Sequence, residues 1–593
     1  MATVRIKAKK PPTRIDRFLG LNQNTDGETG LDLGESPYMM NFKITPNYNL
    51  KKRAGQINLF SPIGSKIQGM WYGKIKGTHY FLFACNGHIY KLENNVYTSI
   101  GTLANDITTF FALNNKVYIM NGHEYYSWNG TTFQTVEGYI PTLTISTPPA
   151  GGGKLFEEKN LLTDWVKQSF SGDGSKREFK LIDKNIQSDK IKATVNGVEK
   201  KEGTDFTLNR TEGKVTFNST PSALPDNVVI TFKMKATADR QQVTKCRYNM
   251  FYGGSNDTRV HLWGNSDLPN RRIYSELADG QPSAEYFGIN SYSDVGSDEF
   301  AITDIVLQYD RQVIFTNGRR TYTSTYTTSM IDGKVAASFP TKPINDAVGN
   351  VAFNQVRIIR NYPVSLQNGV RHWTRTDVRD EKDENLISKK VQASLNNVDL
   401  TKAVTCDFEE ENEYWLCAGS TVWIWNYNNN CWYMYNNIPA RNFIVIKGVL
   451  HYGTNDGRIV KFDKYRRNDN GKPINCVWEM GFYDFDYETT KKYMSNAWVS
   501  IKPATRTTAN VAWQTNNDRS KQDLKFAYNL ATFKHASFRH WSFNTNYNPQ
   551  PLHKKLKAKK FIYFKLIVSN NTSDEVLTLL SINLKTRLGA ENK

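Results

Sequence analysis

The 593-residue chain contains no run of about 18 apolar residues, and so no candidate transmembrane helix. Its basic start, Met1 to Lys10, runs into Pro11-Pro12 instead of an apolar core, which argues against a secretory signal. These absences suit a protein made and kept in a cytosol, or carried out of a cell by another route. Cysteine is sparse, with only Cys85, Cys246, Cys406, Cys417, Cys431 and Cys476, and no Cys-x-x-Cys pair. Scattered positions within mostly apolar runs favour buried free thiols over a disulfide framework or metal site. Long amphipathic helical periodicity is almost missing as well.

Catalytic signatures are also wanting. There is no Gly-x-x-x-x-Gly-Lys-Ser/Thr loop, which excludes a P-loop, and no Gly-x-Ser-x-Gly elbow. The histidines are scattered without His-Glu-x-x-His or comparable ligand spacing. Sialidase-type Ser-x-Asp-x-Gly-x-Thr-Trp boxes are absent; Thr454-Asn455-Asp456-Gly457 is only a turn. Asp173, between Gly172 and Gly174, lacks the repeated ligands of a calcium loop. Glycosidase chemistry needs two carboxylates at a fixed separation. The run Asp407, Glu409, Glu410, Glu411 and Glu413 could supply one, but its place between two strands reads as a solvated loop. The expectation is a protein that is not an enzyme, with no catalytic, cofactor or metal residues.

What is present is aromatic and turn-rich. Phe, Tyr and Trp make up 13% of the chain, a share that favours strands and argues against disorder. Short alternating runs are broken by Asn-Gly, Asn-Asn and Asp-Gly, hairpin signals because these residues tolerate positive φ. The clearest segment, Ile107 to Val136, reads as four strands: Thr108 to Ala112, Lys116 to Met120, Glu124 to Trp128 and Thr132 to Val136. A four-stranded meander of this size is one propeller blade. Asn86-Gly87-His88 and Asn121-Gly122-His123 recur 35 residues apart, marking a repeated unit. The two histidines read as equivalent hairpin positions ahead of paired metal ligands.

Further units near Tyr248 to Ser275, Asp304 to Ser324, Val351 to Thr376, Tyr414 to Tyr435 and Phe443 to Phe462 bring the count to about seven blades. The predicted fold class is thus all-β: a β-propeller with an inserted β-sandwich and a C-terminal β-sandwich. The predicted organisation is an extended N-terminal arm over 1–66, first blades over 67–147, the insert over 148–240, remaining blades over 241–469 and the C-terminal sandwich over 470–593. The insert follows the linker Pro148-Pro149-Ala150-Gly151-Gly152-Gly153. The arm is expected to wrap a neighbour and to order on assembly.

The net charge is +19, without a basic helix or an RNA-binding aromatic motif. Positive residues cluster instead at the two ends: Arg5, Lys7, Lys9, Lys10 and Arg14, then Lys554, Lys555, Lys557, Lys559 and Lys560. Such clusters suit docking to acidic protein surfaces better than specific nucleic-acid reading.

Three groups of residues resemble the tail tubular protein B, or nozzle, family of bacteriophages. The first holds Phe18-Leu19-Gly20-Leu21-Asn22, then Leu33-Gly34-Glu35-Ser36-Pro37-Tyr38-Met39-Met40-Asn41-Phe42, then Leu50-Lys51-Lys52-Arg53-Ala54-Gly55. It resembles the family's Gly-(Leu/Ile)-Asn, acidic-Pro-x-x-(Met/Ala)-x-Asn and Arg-x-Gly elements. The second is Arg259-Val260-His261-Leu262-Trp263-Gly264 with Ile273-Tyr274-Ser275 and Glu285-Tyr286-Phe287. The third is Ile387-Ser388 with Val422-Trp423-Ile424-Trp425-Asn426-Tyr427 and Trp432-Tyr433-Met434-Tyr435. The resemblance implies a virion tail protein made in the host cytoplasm. Copies would form a ring, often sixfold, that meets adaptor or portal proteins and fibres. Genome DNA would pass through as non-specific cargo. The inserted sandwich departs from short-tailed members. The alternative function is a receptor- or glycan-binding propeller at the tail tip, using Trp71, Trp423 and Trp425.

Overall fold

The computed structural model describes residues 12–24, 29–235, 239–331, 334–375, 382–516, 524–530 and 544–591. The chain is all-β; α-helix among the described residues amounts to single turns at Gln241–Thr244 and Gln392–Leu395. It divides into two units, Gln68–Asn350 and the pair of segments Met1–Ile67 with Val351–Lys593.

The Gln68–Asn350 unit carries four four-stranded antiparallel sheets. The second has strands Thr109–Leu113, Lys116–Met120, Tyr125–Trp128 and Phe133–Thr135, within a residue or so of the bounds read from the turns. The reason is local. Asn114 and Asn115 adopt φ of 50° and 59°, and Gly122 adopts 77°, conformations that Asn and Gly reach cheaply. Asn121, fully buried, takes the backbone N–H groups of His123 and Glu124 on its Oδ1 at 3.1 and 3.2 Å, fixing that corner.

Between the second and third of these sheets the chain builds a separate two-sheet module. Its six-stranded sheet includes Thr142–Thr147, Trp165–Phe170 and Val228–Lys233, and its three-stranded sheet Glu178–Lys180, Phe206–Asn209 and Lys214–Phe217. They enclose a core of their own, in which Phe179 packs edge-on against Phe170 and Phe217, each at 5.5 Å between ring centres.

The other unit carries three more four-stranded antiparallel arrays and a two-sheet sandwich around one continuous core. The last array consists of Asn442–Ile446, Val449–Gly453 and Ile459–Asp463, completed by Gly55–Asn58 from far upstream. One sandwich sheet is centred on Thr490–Ile501, between Pro551–Phe561 and Thr578–Glu591. The other contains Cys476–Glu479, Phe564–Asn570, Thr507–Thr515 and Leu524–Tyr528.

The segment read as an extended arm is built into this unit from Thr13 onward, which corrects that expectation. Thr13–Ile15 pairs with Thr578–Glu591, and Leu50–Lys52 pairs with both Phe42–Ile44 and Thr578–Glu591. Tyr38–Met40 lies between Cys476–Glu479 and Cys431–Tyr435, joining the sandwich to the neighbouring array. Strands of three or four residues carry too little alternation to register in sequence, which is why the segment reads as irregular. The sandwich therefore draws on residues 13–52 as well as on those after 470.

One buried cation ties these pieces together. Arg53 donates through Nε to Asn41 Oδ1 at 2.8 Å and through both terminal nitrogens to Asp469 at 2.9 and 2.5 Å. It also reaches the Asn436 carbonyl at 3.3 Å, while Asn41 Nδ2 donates to Asn436 Oδ1 and the Asn475 carbonyl, each at 2.7 Å. Replacing Arg53 with Met leaves Asp469 as an uncompensated, mostly buried charge. The expected cost is about 3–5 kcal/mol, with substantial recovery in Arg53→Met/Asp469→Leu. Urea unfolding of the two variants checks both; equal stabilities of Arg53→Met and the parent would contradict the role given to this pair.

Candidate functional site

The positive residues singled out at the chain ends converge in part. Arg5, Lys7, Lys9 and Lys10 lie outside the described residues. Arg14 sits on Thr13–Ile15, exposed and paired to Asp16 at 3.0 Å. Lys554, Lys555, Lys557, Lys559 and Lys560 all lie on Pro551–Phe561, at the edge of the same sheet. Directly paired residues share a face, so the registers define rows. Arg14, Asn583, Trp498 and His553 form one; Lys585, Asn496 and Lys555 form the next; Arg587 and Tyr493 lie further along.

This outer face thus gathers Arg14, Lys555, Lys585 and Arg587 around an aromatic patch. His553 and Trp498 have ring centres 5.2 Å apart, and His553 Nε2 lies 2.8 Å from Asn496 Oδ1. Lys585 and Arg587 escaped the sequence reading, although their i, i+2 spacing in a strand places them on one face. Lys554 pairs opposite buried Ala497, on the core side, yet is exposed at the edge. Lysines so placed also keep an edge strand from pairing with another chain.

The acidic run has structural work. Glu409–Glu411 form a single turn that ends at Asn412 with φ 56°. Glu411 Oε2 accepts from Lys43 at 2.7 Å. Buried Glu413 accepts from Trp415 Nε1 at 2.9 Å and from the Tyr433 hydroxyl at 2.6 Å. Asp407 accepts from the Tyr427 hydroxyl at 3.4 Å, and burial, reinforced by Glu409, raises its carboxyl to about 6. His88 and His123 occupy separate hairpins: His88 Nδ1 lies 3.2 Å from Ser99 Oγ, and His123 Nε2 3.3 Å from Asp106 Oδ2. All six cysteines are buried and unbridged, and burial pushes the thiols of Cys85 up to about 11 and Cys476 to about 12.

Within each group carrying the family resemblance, the separate elements touch. In the first, Asn22 Nδ2 donates to Glu35 Oε2 at 2.7 Å, and Asn41 holds Arg53. Its glycines are sterically required: a Cβ on Gly55 would lie 2.2 Å from the Asn468 carbonyl oxygen. On Gly20, at φ 89°, it would lie 2.6 Å from that of Trp432. In the second, Arg259 donates to the Ser275 carbonyl at 2.9 Å and the Glu276 N–H to that of Tyr286 at 2.8 Å. In the third, Trp432 Nε1 donates to the Ile387 carbonyl at 3.0 Å.

No protein-family model matches the chain, and no curated protein matches it. Among solved structures it is similar to the computationally designed Ika8 protein, at 11% identity and TM-score 0.31, over 69% of this chain and 100% of that one. It is also similar to the extracellular domain of the putative one component system BT4673 from B. thetaiotaomicron, at 8% identity and TM-score 0.23, over 91% and 82%. A third is exo-beta-1,3-galactanase from Phanerochaete chrysosporium, at 9% identity and TM-score 0.16, over 82% and 96%. Likeness at this level carries no argument about function.

The raised Asp407 carboxyl has a pH consequence of definite sign. Its folded value of about 6 lies above the unfolded one of about 3.9. The folded state therefore holds more protons between these values, and this group's contribution to stability falls as pH rises through that window. Asp407→Asn removes the penalty and leaves an acceptor for Tyr427. Its urea midpoint is expected to exceed the parent's at pH 8 and to converge with it near pH 4. A gap unchanged between the two pH values would show that Asp407 titrates normally.

Proposed function

We propose that the seven four-stranded arrays are the blades of one β-propeller, and that the protein is a structural, non-enzymatic subunit of a bacteriophage tail. Copies form a nozzle-like ring through which genome DNA passes. The observation that carries this reading is the contact between the nozzle-like elements within each group, reinforced in the first by Gly20 and Gly55, where a Cβ would clash with backbone. Support for the propeller comes from the last array. Its closing strand, Gly55–Asn58, comes from the N-terminal segment that leads into the first array at Ile67, so first and last are linked along the chain. The burial of Trp423 and Trp425, hydrogen-bonded to Ser394 and Asn430 at 2.8 and 3.1 Å, favours a structural role over glycan stacking at those rings.

Negative-stain images of the purified protein are expected to show rings with a central channel; channel-free particles at all concentrations would overturn the reading. The basic sheet face is the proposed docking surface toward acidic neighbours in the tail. Changing Lys554, Lys555, Lys557, Lys559 and Lys560 to Gln should weaken tail incorporation in a salt-dependent way. Each exposed change should shift stability by no more than about 0.5 kcal/mol. Undiminished incorporation of the quintuple variant would remove that surface from the interface.

A further inference from the structure

A second concentration of positive charge lies away from the sheet face, in a cleft of about 540 Å³ within the Met1–Ile67 and Val351–Lys593 unit. That volume is in the range of small-ligand sites. Its walls come from the Phe42–Ile44 and Leu50–Lys52 hairpin and from the last two four-stranded arrays, with Phe408, Trp415 and Phe462 at its apolar side. Eight Lys and Arg residues line it against four carboxylates.

Three of the four carboxylates are paired with cations, and the fourth, Asp463, bears on Arg467. Glu411 and Glu413 flank Lys43 at 2.7 and 3.6 Å, Glu575 pairs with Arg506 at 3.0 Å, and Asp463 accepts the Tyr465 N–H at 2.9 Å. Arg53 is held by Asp469, and Lys52 Nζ by Asn570 Oδ1 at 2.7 Å and the Thr572 carbonyl at 3.0 Å. Among the described residues, Lys51, Lys447, Lys461, Lys464 and Arg467 then line the cleft without a carboxylate at ion-pair distance. Burial lowers the pKa of Lys51, and Lys43 lowers it further; burial also lowers that of Arg467. Lys447 occupies a hairpin turn at φ 49°, a position filled by Asn86 and Asn196 and by Lys76 in other hairpins and one that favours Asn or Gly.

We propose that this cleft binds a compact oligophosphate through Lys51, Lys447, Lys461, Lys464 and Arg467. Several cations around so small a space call for several negative charges in one ligand. A phosphate group brings one to two charges and three acceptor oxygens, whereas a single carboxylate brings one charge. Recognition rests on charge: Trp415 and Tyr435 are each only 3% exposed, and the exposed ring of Tyr465 is faced by Lys464 Nζ at 5.2 Å from its centre. This inference is independent of the ring assignment.

The test is calorimetric titration of the full chain with sodium tripolyphosphate. Saturable binding at one site is expected, weakened at least about tenfold in Lys51→Gln/Lys461→Gln, the scale of losing charged hydrogen bonds. The control, Lys555→Gln/Lys585→Gln, changes net charge equally on the sheet face and should leave affinity within about twofold. Lys447→Asn separates ligand binding from folding: Asn suits the turn and should hold or raise thermal stability while lowering affinity. ATP titrated in parallel identifies the source of the phosphates, binding more tightly if a nucleoside contributes and no more tightly if inorganic polyphosphate is the ligand. Absence of saturable binding, equal loss in the control pair, or tighter binding of a trigalacturonate would overturn the proposal.

Discussion

The buried contact between Arg53 and Asp469 is where three parts of one unit meet. Arg53 follows the short strand Leu50–Lys52, which belongs to the sandwich sheet. Asp469 pairs with Gln56 beside the last four-stranded array, and Asn436 follows the array before it. A guanidinium supplies five donors in a fixed plane, so it can bind a carboxylate bidentately and still reach a side-chain amide and a carbonyl. An ammonium could not reproduce that geometry. The neighbouring Lys52 uses a simpler version, ending on Asn570 and the Thr572 carbonyl. Such a network adds little stability over an apolar core of equal volume, but breaking one partner is costly. Its contacts join segments far apart in the chain, in a region whose strands are only a few residues long.

Legibility in the sequence followed the range of the interaction. The hairpins were readable because positive φ selects residue type at the turn itself: Asn86, Asn114 and Asn115 declare their conformation without reference to anything distant. The strands of residues 13–58 were not. Tyr38–Met40 is a strand because Glu479, Trp478 and Val477 lie opposite it, more than 400 residues along the chain. The basic sheet face was half visible. Both end clusters stood out in sequence, but only the register Arg14 to Asn583, Asn583 to Trp498 and Trp498 to His553 sets Arg14 on the same face as Lys555. The cleft was invisible, since Lys461, Lys464 and Arg467 are close in sequence but Lys51 and Lys447 join them only through the fold.

The module between the second and third arrays shows why an insertion there costs so little. Its first strand, Thr142–Thr147, pairs with Trp165–Phe170 in parallel, and its last, Val228–Lys233, pairs with the opposite edge of that same strand. Entry and exit are thus two strand spacings apart, about 10 Å. Closing so small a gap requires little of the host sheets, and the cost of a longer loop grows only logarithmically with length. The separate phenylalanine core lets the module satisfy its own apolar surface.

The same economy of contacts separates two kinds of positive charge in a chain of net +19. Lysines on the sheet edge stand in water, where salt screens them over about 8 Å. They can guide an approaching acidic surface and discourage edge-to-edge pairing at once, and neither use requires a fixed geometry. Two of the cleft cations differ: burial depresses Lys51 and Arg467, while Glu411 and Glu575 beside them are already engaged. Desolvated charge of one sign raises the energy of the empty cleft, and an anion that restores neutrality lowers it. Salt screens exposed Lys447 and Lys464 much as it screens the sheet edge, and acts less on the partly buried Lys461 and Arg467.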